Sequence, residues 1–347
     1  MVKSSLICIS VLTCSALFAA STSPQPVSHE QLQAVHPDGT SFFDDSGSLM
    51  VSVEGILLNS PEEYLNPDPN STVQEWFMGG QWQIYIQGEG SDHAGTACWM
   101  GQNYGNGPGD ENYTNQQWLD ELSRLNRDPQ TGHIFRPGDR VRVTGTYLFY
   151  AGKLNINENH EIGEAFDFTV ELLEPAVGLP QPEKIQLSDV KNPDNTDLFD
   201  ETRNTGGEYY QSRLVKLEDV QISDPENWAP GAELTATNGS GLTIPIKLGL
   251  GKGFENHPCP EGEIDIVGVF DQEAPGFPPD PTKGYRIIVL DYHGSSEVLG
   301  TLDTGRGNMP SDINGDFKVD LEDFAELSLN WLKTASGLYK ALNNGLI

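Results

Sequence analysis

Basic side chains are scarce in this sequence. Lys and Arg together number 20 against 51 Asp and Glu, which gives a formal net charge of −31. Affinity for a phosphate backbone comes from Lys and Arg side chains that displace counterions, so this balance makes nucleic acid an unlikely partner. The acidity favours a soluble extracellular protein in a calcium-containing medium, where charge also maintains solubility.

Long apolar runs are missing after the N-terminus, and no later segment is long enough for a transmembrane helix. The first 21 residues differ from the rest. Lys3 precedes the apolar run Leu6–Ala20, and small residues follow at its end. We interpret residues 1–21 as a secretory signal peptide. The protein is therefore expected to be secreted and extracellular, either free or attached to the cell surface.

Cysteine is rare, with four in the chain. Removal of the signal peptide leaves Cys98 and Cys259, which fall in different predicted domains. Export permits a disulfide between them. Two free thiols are an equally good interpretation, and the sequence leaves both open.

Familiar catalytic motifs are absent too. The sequence contains neither His-Glu-x-x-His nor Gly-x-Ser-x-Gly. A pair of catalytic carboxylates could lie among the many acidic residues, because such a pair needs only spatial proximity. The sequence therefore assigns no catalytic residue and favours a protein that is not an enzyme, without deciding the point.

What the sequence does contain is β-type alternation. Residues 22–48 are polar and are interpreted as a flexible leader. In the region 49–175, a helical pattern at 118–125, with Asn115 as its predicted cap, lies between two groups of strands. This order is that of an OB-fold barrel. The residues predicted to face inward in the first two strands are Val51, Val53, Leu57, Trp82, Ile84 and Ile86.

A second region, 180–299, repeats the pattern. Arg140–Gly145 aligns with Glu263–Gly268, and Val53–Ile56 aligns with Leu217–Val220. Residues 234–248 are predicted to form a hairpin that turns at Asn238-Gly239. The predicted fold class is therefore mainly β: two OB-like barrels in tandem, followed by a small C-terminal helical module.

A calcium-binding motif follows the linker 300–310. Calcium needs six or more oxygen ligands, and an EF-hand loop supplies them from positions 1, 3, 5, 7, 9 and 12. Helical periodicity continues to about residue 333, and a tail occupies 334–347. The predicted calcium ligands, with the fourth acting through its backbone carbonyl, are Asp312, Asn314, Asp316, Lys318, Asp320 and Asp323.

The segment 311–333 resembles a type I dockerin repeat of the EF-hand type. The resemblance implies calcium as cofactor and docking to a cohesin-like or cell-surface protein. Two features depart from that family. A single repeat is present, and Phe317 occupies the turn position where Gly is usual. A bulky residue held at positive φ there costs on the order of 1–2 kcal/mol.

Both barrel regions also resemble known proteins. Tyr210–Val220 and Gly284–Val289 are similar to OB-type modules of secreted bacterial proteins. Ala97–Gly105 and Gly152–His160 resemble uncharacterised secreted proteins of planctomycete-type bacteria. These resemblances imply architecture and habitat, and they identify no catalytic residue.

Candidate ligand-binding residues lie in the first barrel region. Aromatic rings can stack on sugar faces while amides bond the hydroxyl groups, and rings can also stack single-stranded bases. Burial of the aromatic residues in the core and local turn hydrogen bonds of the asparagines are the structural alternatives. The candidates are Trp99, Tyr104, Tyr113, Asn155, Asn157 and His160.

These features predict a secreted, non-catalytic binding or assembly protein with a calcium-dependent C-terminal attachment module. One alternative is a polysaccharide-degrading enzyme or its accessory carbohydrate-binding protein. A second alternative is extracellular single-stranded nucleic-acid binding by the barrels, which rests on fold analogy alone.

Overall fold

The computed structural model describes residues 24–43, 49–61, 64–69, 79–103, 113–157, 168–250, 254–255, 257–292 and 298–299. Within them the protein is mainly β and contains two closed five-stranded barrels, as the sequence predicted. No helix in these ranges is long and apolar enough to cross a membrane. The predicted signal peptide, the predicted calcium motif and the C-terminal tail lie outside the described residues.

The first barrel uses five of the strands in the N-terminal half. Their order around the barrel is β2-β3-β4-β6-β5, and β5 pairs with β2 to close it. β4 and β6 are parallel, and the other neighbours are antiparallel. The elements are β1 (Gln25–Pro26), α1 (His29–Leu32), β2 (Met50–Leu57), β3 (Gln81–Gln87), β4 (Gly95–Gly101), α2 (Asn115–Leu125), β5 (Arg140–Tyr150), β6 (Lys153–Asn157) and β7 (Thr169–Glu174).

The second barrel has the same strand order, β9-β10-β11-β13-β12, and closes through β12 and β9. Its third and fifth strands, β11 and β13, are again parallel. Both barrels are compatible with an OB-like fold. The elements are β8 (Glu183–Ile185), α3 (Leu187–Val190), α4 (Gly206–Tyr209), β9 (Leu214–Ile222), β10 (Glu233–Thr237), β11 (Thr243–Leu248), β12 (Ile264–Gln272), β13 (Tyr285–Val289) and β14 (Val298–Leu299).

The repeat seen in the sequence corresponds to equivalent strand pairs. Val53 on β2 pairs with Val143 on β5, and Leu217 on β9 pairs with Ile266 on β12. These four residues are the ones that the sequence alignment matches. The first and fourth strands therefore occupy equivalent places in the two barrels.

A turn before each barrel extends the repeat. Asp38 accepts hydrogen bonds from the backbone N–H and the hydroxyl of Thr40, at 3.1 and 2.6 Å. Asp194 accepts the same two bonds from Thr196, also at 3.1 and 2.6 Å. The residue between each Asp and Thr has a positive φ, 80° in the first turn and 67° in the second. Each copy of the repeat thus comprises a turn and a barrel.

Residues 24–43, which include the first of these turns, form an ordered segment with secondary structure. The prediction of a flexible leader is therefore corrected for these residues. β1 pairs with β2, and the Ser28 hydroxyl caps α1 by accepting a hydrogen bond from the Gln31 N–H at 3.1 Å. His29 and Leu32 are fully buried. A helix of a single turn is too short to show periodicity in a sequence, which explains the error.

The interior of the first barrel follows the predicted alternation, and all six predicted inward residues of β2 and β3 belong to its core. Helix α2 packs on the same core through Trp118 and Leu125. Its cap is Thr114 rather than the predicted Asn115, and the Thr114 hydroxyl accepts from the Gln117 N–H at 3.3 Å. Thr and Asn are both favoured at this position, so the sequence could not separate two adjacent candidates.

An apolar interface joins the two barrels through unlike faces. The first barrel contributes its β2, β3 and β4 side, and the second its β9, β12 and β13 side. The backbones approach closely: the Gly95 N–H donates to Gln211 O at 2.9 Å, and a Cβ at Gly95 would lie 2.0 Å from Ser212 O. The buried apolar residues are Ile56, Leu58, Tyr64, Tyr85, Ala97, Leu179, Leu214, Val267, Val269, Ile288 and Leu290.

In the second barrel, strands β10 and β11 occupy the places of β3 and β4, and their outer side is polar. None of its outward residues is buried. The outward residues of β10 and β11 are Glu233, Thr235, Thr237, Thr243, Pro245 and Lys247.

Cys98 and Cys259 are free thiols, which decides between the alternatives left open by the sequence. Cys98 on β4 lies in the core of the first barrel, and burial raises the pKa of its thiol. Cys259 belongs to the second domain, and burial raises the pKa of its thiol to about 11.

Candidate functional site

A pocket of about 200 Å³ lies where the outer surface of the first barrel meets the second barrel. Most of its wall comes from β3, β4 and the β5–β6 hairpin, and two residues of the second barrel complete it. The lining residues are Tyr64, Leu65, Gln81, Gln83, Trp99, Leu148, Tyr150, Lys153, Asn155, Asn157, Glu273 and Arg286.

Strand alternation explains why polar side chains line this wall. On β3, Gln81 and Gln83 point outward, whereas the intervening Trp82 lies in the barrel core. Register aligns the neighbours, because Gln83 pairs with Trp99 on β4, and Trp99 pairs with Asn157 on β6. One surface of three adjacent strands therefore carries amides and an aromatic ring side by side.

Trp99 is held against this surface. Its indole Nε1 donates to Gln81 Oε1 at 3.3 Å. A Cβ at Gly101, two residues along β4, would lie 2.7 Å from the indole ring. The absence of a side chain at Gly101 therefore lets the ring lie close to the strand.

Two asparagine oxygens in the pocket have no hydrogen-bond partner. Asn155 and Asn157 are 7% and 5% exposed, and the Oδ1 atom of each is buried and unpaired among the described residues. Leaving a buried acceptor unsatisfied costs about 1–3 kcal/mol. A ligand that donates hydrogen bonds would recover that free energy.

The floor of the pocket carries buried charges from both barrels. The carboxylate of Asp271 on β12 accepts from Lys153 Nζ at 2.7 Å and from Arg286 Nε at 3.0 Å. Asp271 is fully buried. Burial alone would raise its pKa, but the adjacent Lys153 ammonium and Arg286 guanidinium hold the pKa below its ordinary value.

Arg286 has two further partners at the pocket. Its Nη2 donates to the Tyr64 hydroxyl at 2.8 Å and forms an ion pair with Glu273 Oε2. The Arg286 side chain is 10% exposed and that of Glu273 is 45% exposed, so the pair joins the floor to the rim. Burial raises the pKa of Tyr64, which therefore stays protonated and neutral.

The structure brings together three of the six candidate ligand-binding residues, namely Trp99, Asn155 and Asn157. Tyr113 packs instead in the core of the first barrel, beside Trp118. Tyr104 and His160 lie outside the described residues, as does every predicted calcium ligand. Among the described residues, no group of three or more His, Cys, Asp or Glu side chains could hold a metal ion.

Sequence reasoning missed the other polar residues of the pocket. Gln81 and Gln83 had a usable signal, because they alternate with Trp82 and Ile84 and must lie on the outer face. Lys153, Arg286 and Glu273 had none, since their proximity depends on how the two barrels dock.

Fold and site together define a protein of two tandem barrels with a pocket at their junction that is lined by both polar and apolar surface. In comparisons with protein-family models and with curated proteins, nothing matches this chain. The functional conclusion therefore depends on the pocket itself and on the sequence motifs.

Proposed function

We propose that this chain is a secreted, non-catalytic binding protein whose first barrel, an OB-fold, holds a saccharide in the junction pocket. The observation that carries the proposal is the pair of buried, unpaired oxygens on Asn155 and Asn157 beside the indole of Trp99. Sugar hydroxyls supply the missing donors. The apolar C–H face of a sugar ring gains dispersion contacts against the indole.

The size of the pocket agrees with one sugar ring. Its volume of about 200 Å³ lies below the roughly 300–1,000 Å³ of pockets that hold drug-sized ligands, as suits a single ring. Tyr150 lines the pocket and is 55% exposed, so the rim is open to solvent on that side. A longer chain would therefore extend past Tyr150 while one unit occupies the pocket.

The carboxylates of the pocket support binding rather than hydrolysis. Glu273 is the single acidic side chain among the described residues that line it. Glycoside hydrolysis usually employs two carboxyl groups about 5–9.5 Å apart on either side of the bond. A polysaccharide-degrading enzyme is the alternative, and assays of released reducing sugar distinguish it from a binding protein.

Replacing one unpaired amide tests the proposal. We expect Asn155→Leu to weaken saccharide binding about 10- to 100-fold, because it removes an acceptor worth about 1–3 kcal/mol. Its stability should not fall, since an unsatisfied buried group is replaced by an apolar one of similar size. Glycan-array screening followed by calorimetry measures the affinity, and urea unfolding measures the stability.

Thr235→Val on the outer face of the second barrel is the matched control, because it also removes a polar group and should leave binding unchanged. Full binding by Asn155→Leu, or a loss of binding shared by Thr235→Val, would contradict a saccharide site in this pocket.

We also propose that the C-terminal motif binds calcium and attaches the protein to a cohesin-like or cell-surface protein. The supporting observation is the placement of five side-chain oxygens at EF-hand spacing, at Asp312, Asn314, Asp316, Asp320 and Asp323. Calorimetric titration of the full chain with calcium should show one site that is lost in Asp316→Ala. Asp280→Ala, in a loop of the second barrel, is the control, and an unchanged isotherm in Asp316→Ala would remove the motif as the site.

A further inference from the structure

We infer that the saccharide bound in the junction pocket carries a carboxylate, as a uronic acid does. This inference rests on the proposed function and names its ligand class. It comes from the charges of the pocket rather than from its amides.

The buried charges beside the pocket do not balance. Two cations, Lys153 and Arg286, are 5% and 10% exposed in their side chains, and both contact one fully buried anion, Asp271. The buried part of the network therefore carries one positive charge in excess. Both cations also line the cavity, so the excess faces the space that a ligand would occupy.

Glu273 currently balances that charge from the rim. It contacts Arg286 through Nη2, and its side chain is nearly half exposed. An ion pair with one partner in solvent contributes only about 0–1 kcal/mol. A ligand carboxylate seated inside the pocket would meet the same guanidinium in a less polar setting, where a charge-assisted hydrogen bond is stronger. Glu273 thus occupies the place that an acidic sugar would take.

The net charge of −31 opposes an anionic ligand at long range. Salt limits that effect, because the Debye length is about 8 Å at physiological ionic strength. Within that distance Asp271 and Glu273 oppose the cations Lys153 and Arg286, so an acidic ligand gains free energy only by taking the place of Glu273 at Arg286. The acidic surface slows the approach of the ligand more than it weakens the bound state.

The test uses the full chain and two matched probes, a galacturonate oligosaccharide and the neutral galactose oligosaccharide of equal length. We expect the wild-type protein to bind the acidic probe more tightly. In Glu273→Gln the competing charge is gone, and affinity for the acidic probe should rise about tenfold. The ratio of acidic to neutral affinity should rise with it, because the neutral probe brings no charge to Arg286. Glu233→Gln, exposed on β10, makes the same change in net charge away from the pocket and serves as control.

The outcomes separate the two proposals. Equal affinity for the acidic and neutral probes, or an unchanged acidic affinity in Glu273→Gln, would overturn the carboxylate inference and leave saccharide binding intact. An equal gain in Glu233→Gln would also overturn it, because the effect would then be general electrostatics. Failure of both probes to bind would count against the saccharide site itself.

Discussion

Replacing Asp271 by Asn should destabilise the protein by about 3–5 kcal/mol, measured as a loss of unfolding free energy in urea. The reason is the position of Asp271 between Lys153 and Arg286, with its side chain fully buried. Removing one member of a buried ion network leaves the remaining charges unpaired in a medium that solvates them poorly. In this variant two cations from two different barrels would face a neutral amide.

The control is an acidic residue of similar chemistry on the surface. Asp280 pairs with Lys283, but both side chains are about half exposed, at 43% and 56%. Asp280→Asn should therefore cost less than about 1 kcal/mol. Similar losses in the two variants would mean that the buried network is solvated by water and has no special role.

A triple variant separates charge from packing. Lys153→Met, Asp271→Leu and Arg286→Met together remove the three buried charges of the network at similar volume and leave the half-exposed Glu273 in contact with solvent. Such replacements of buried ion pairs are often neutral or stabilising. We expect this variant to recover most of the stability lost in Asp271→Asn, and a further loss would show that the geometry of the network matters more than its charge.

The second prediction with a large effect concerns how the free energy of unfolding depends on pH. Glu208 in α4 is 1% exposed, and the Tyr285 hydroxyl donates a hydrogen bond to its Oε1 at 2.7 Å. Burial raises the pKa of Glu208 to about 7, although the Tyr285 bond and the Arg203 charge oppose that rise. In the unfolded chain the pKa returns to about 4.5.

The direction of the pH effect follows from these two values. The folded state holds a proton that the unfolded state releases between pH 4.5 and 7. The stability contributed by protonated Glu208 is therefore complete below pH 4.5, falls as the pH rises, and is lost above pH 7. A shift of this size corresponds to about 3 kcal/mol.

Glu208→Gln removes the titration. At pH 8 it should be more stable than the wild type by up to about 3 kcal/mol, and at pH 4 the difference should vanish. Urea unfolding at both values checks this. Glu201→Gln, exposed in the same segment, should show no such gain. A stability difference between Glu208→Gln and the wild type that is equal at both values would exclude Glu208 as the titrating group.

Local patterns predicted the barrels well for a physical reason. A side chain on a strand points in or out by parity alone, so Trp82, Ile84 and Ile86 could be assigned to the core from the sequence. The equivalence of the strand pairs could also be predicted, because Val143 and Ile266 occupy matching positions in the aligned segments Arg140–Gly145 and Glu263–Gly268. On the outer face, Asn155 and Asn157 could be selected as candidates because they alternate with Ile156. Trp99 could be selected only as an aromatic residue in a Gly- and Asn-rich stretch interpreted as a loop, and the structure places it on strand β4 instead.

The junction could not be predicted in this way. Lys153 and Asp271 lie 118 positions apart, and they meet because two separately formed barrels dock. Docking depends on apolar side chains on the outside of the first barrel, such as Tyr85 and Ala97. In the sequence these residues look like further core residues, because periodicity does not say which of two apolar faces contacts a neighbour.

The two barrels contact each other through different sides, and this arrangement has a consequence for how copies of the chain could associate. Contacts between unlike faces do not close a pair. When repeated, they generate a ring if the rotation closes and an open filament if it does not. Had the second barrel kept apolar side chains at the places of Tyr85 and Ala97, each molecule would offer a docking site to the next, and rings or filaments would follow. The side of β10 and β11 instead carries polar residues such as Glu233 and Lys247, which disfavour such a contact. In this respect it resembles the polar outer faces of the terminal repeats that repeat proteins need for solubility.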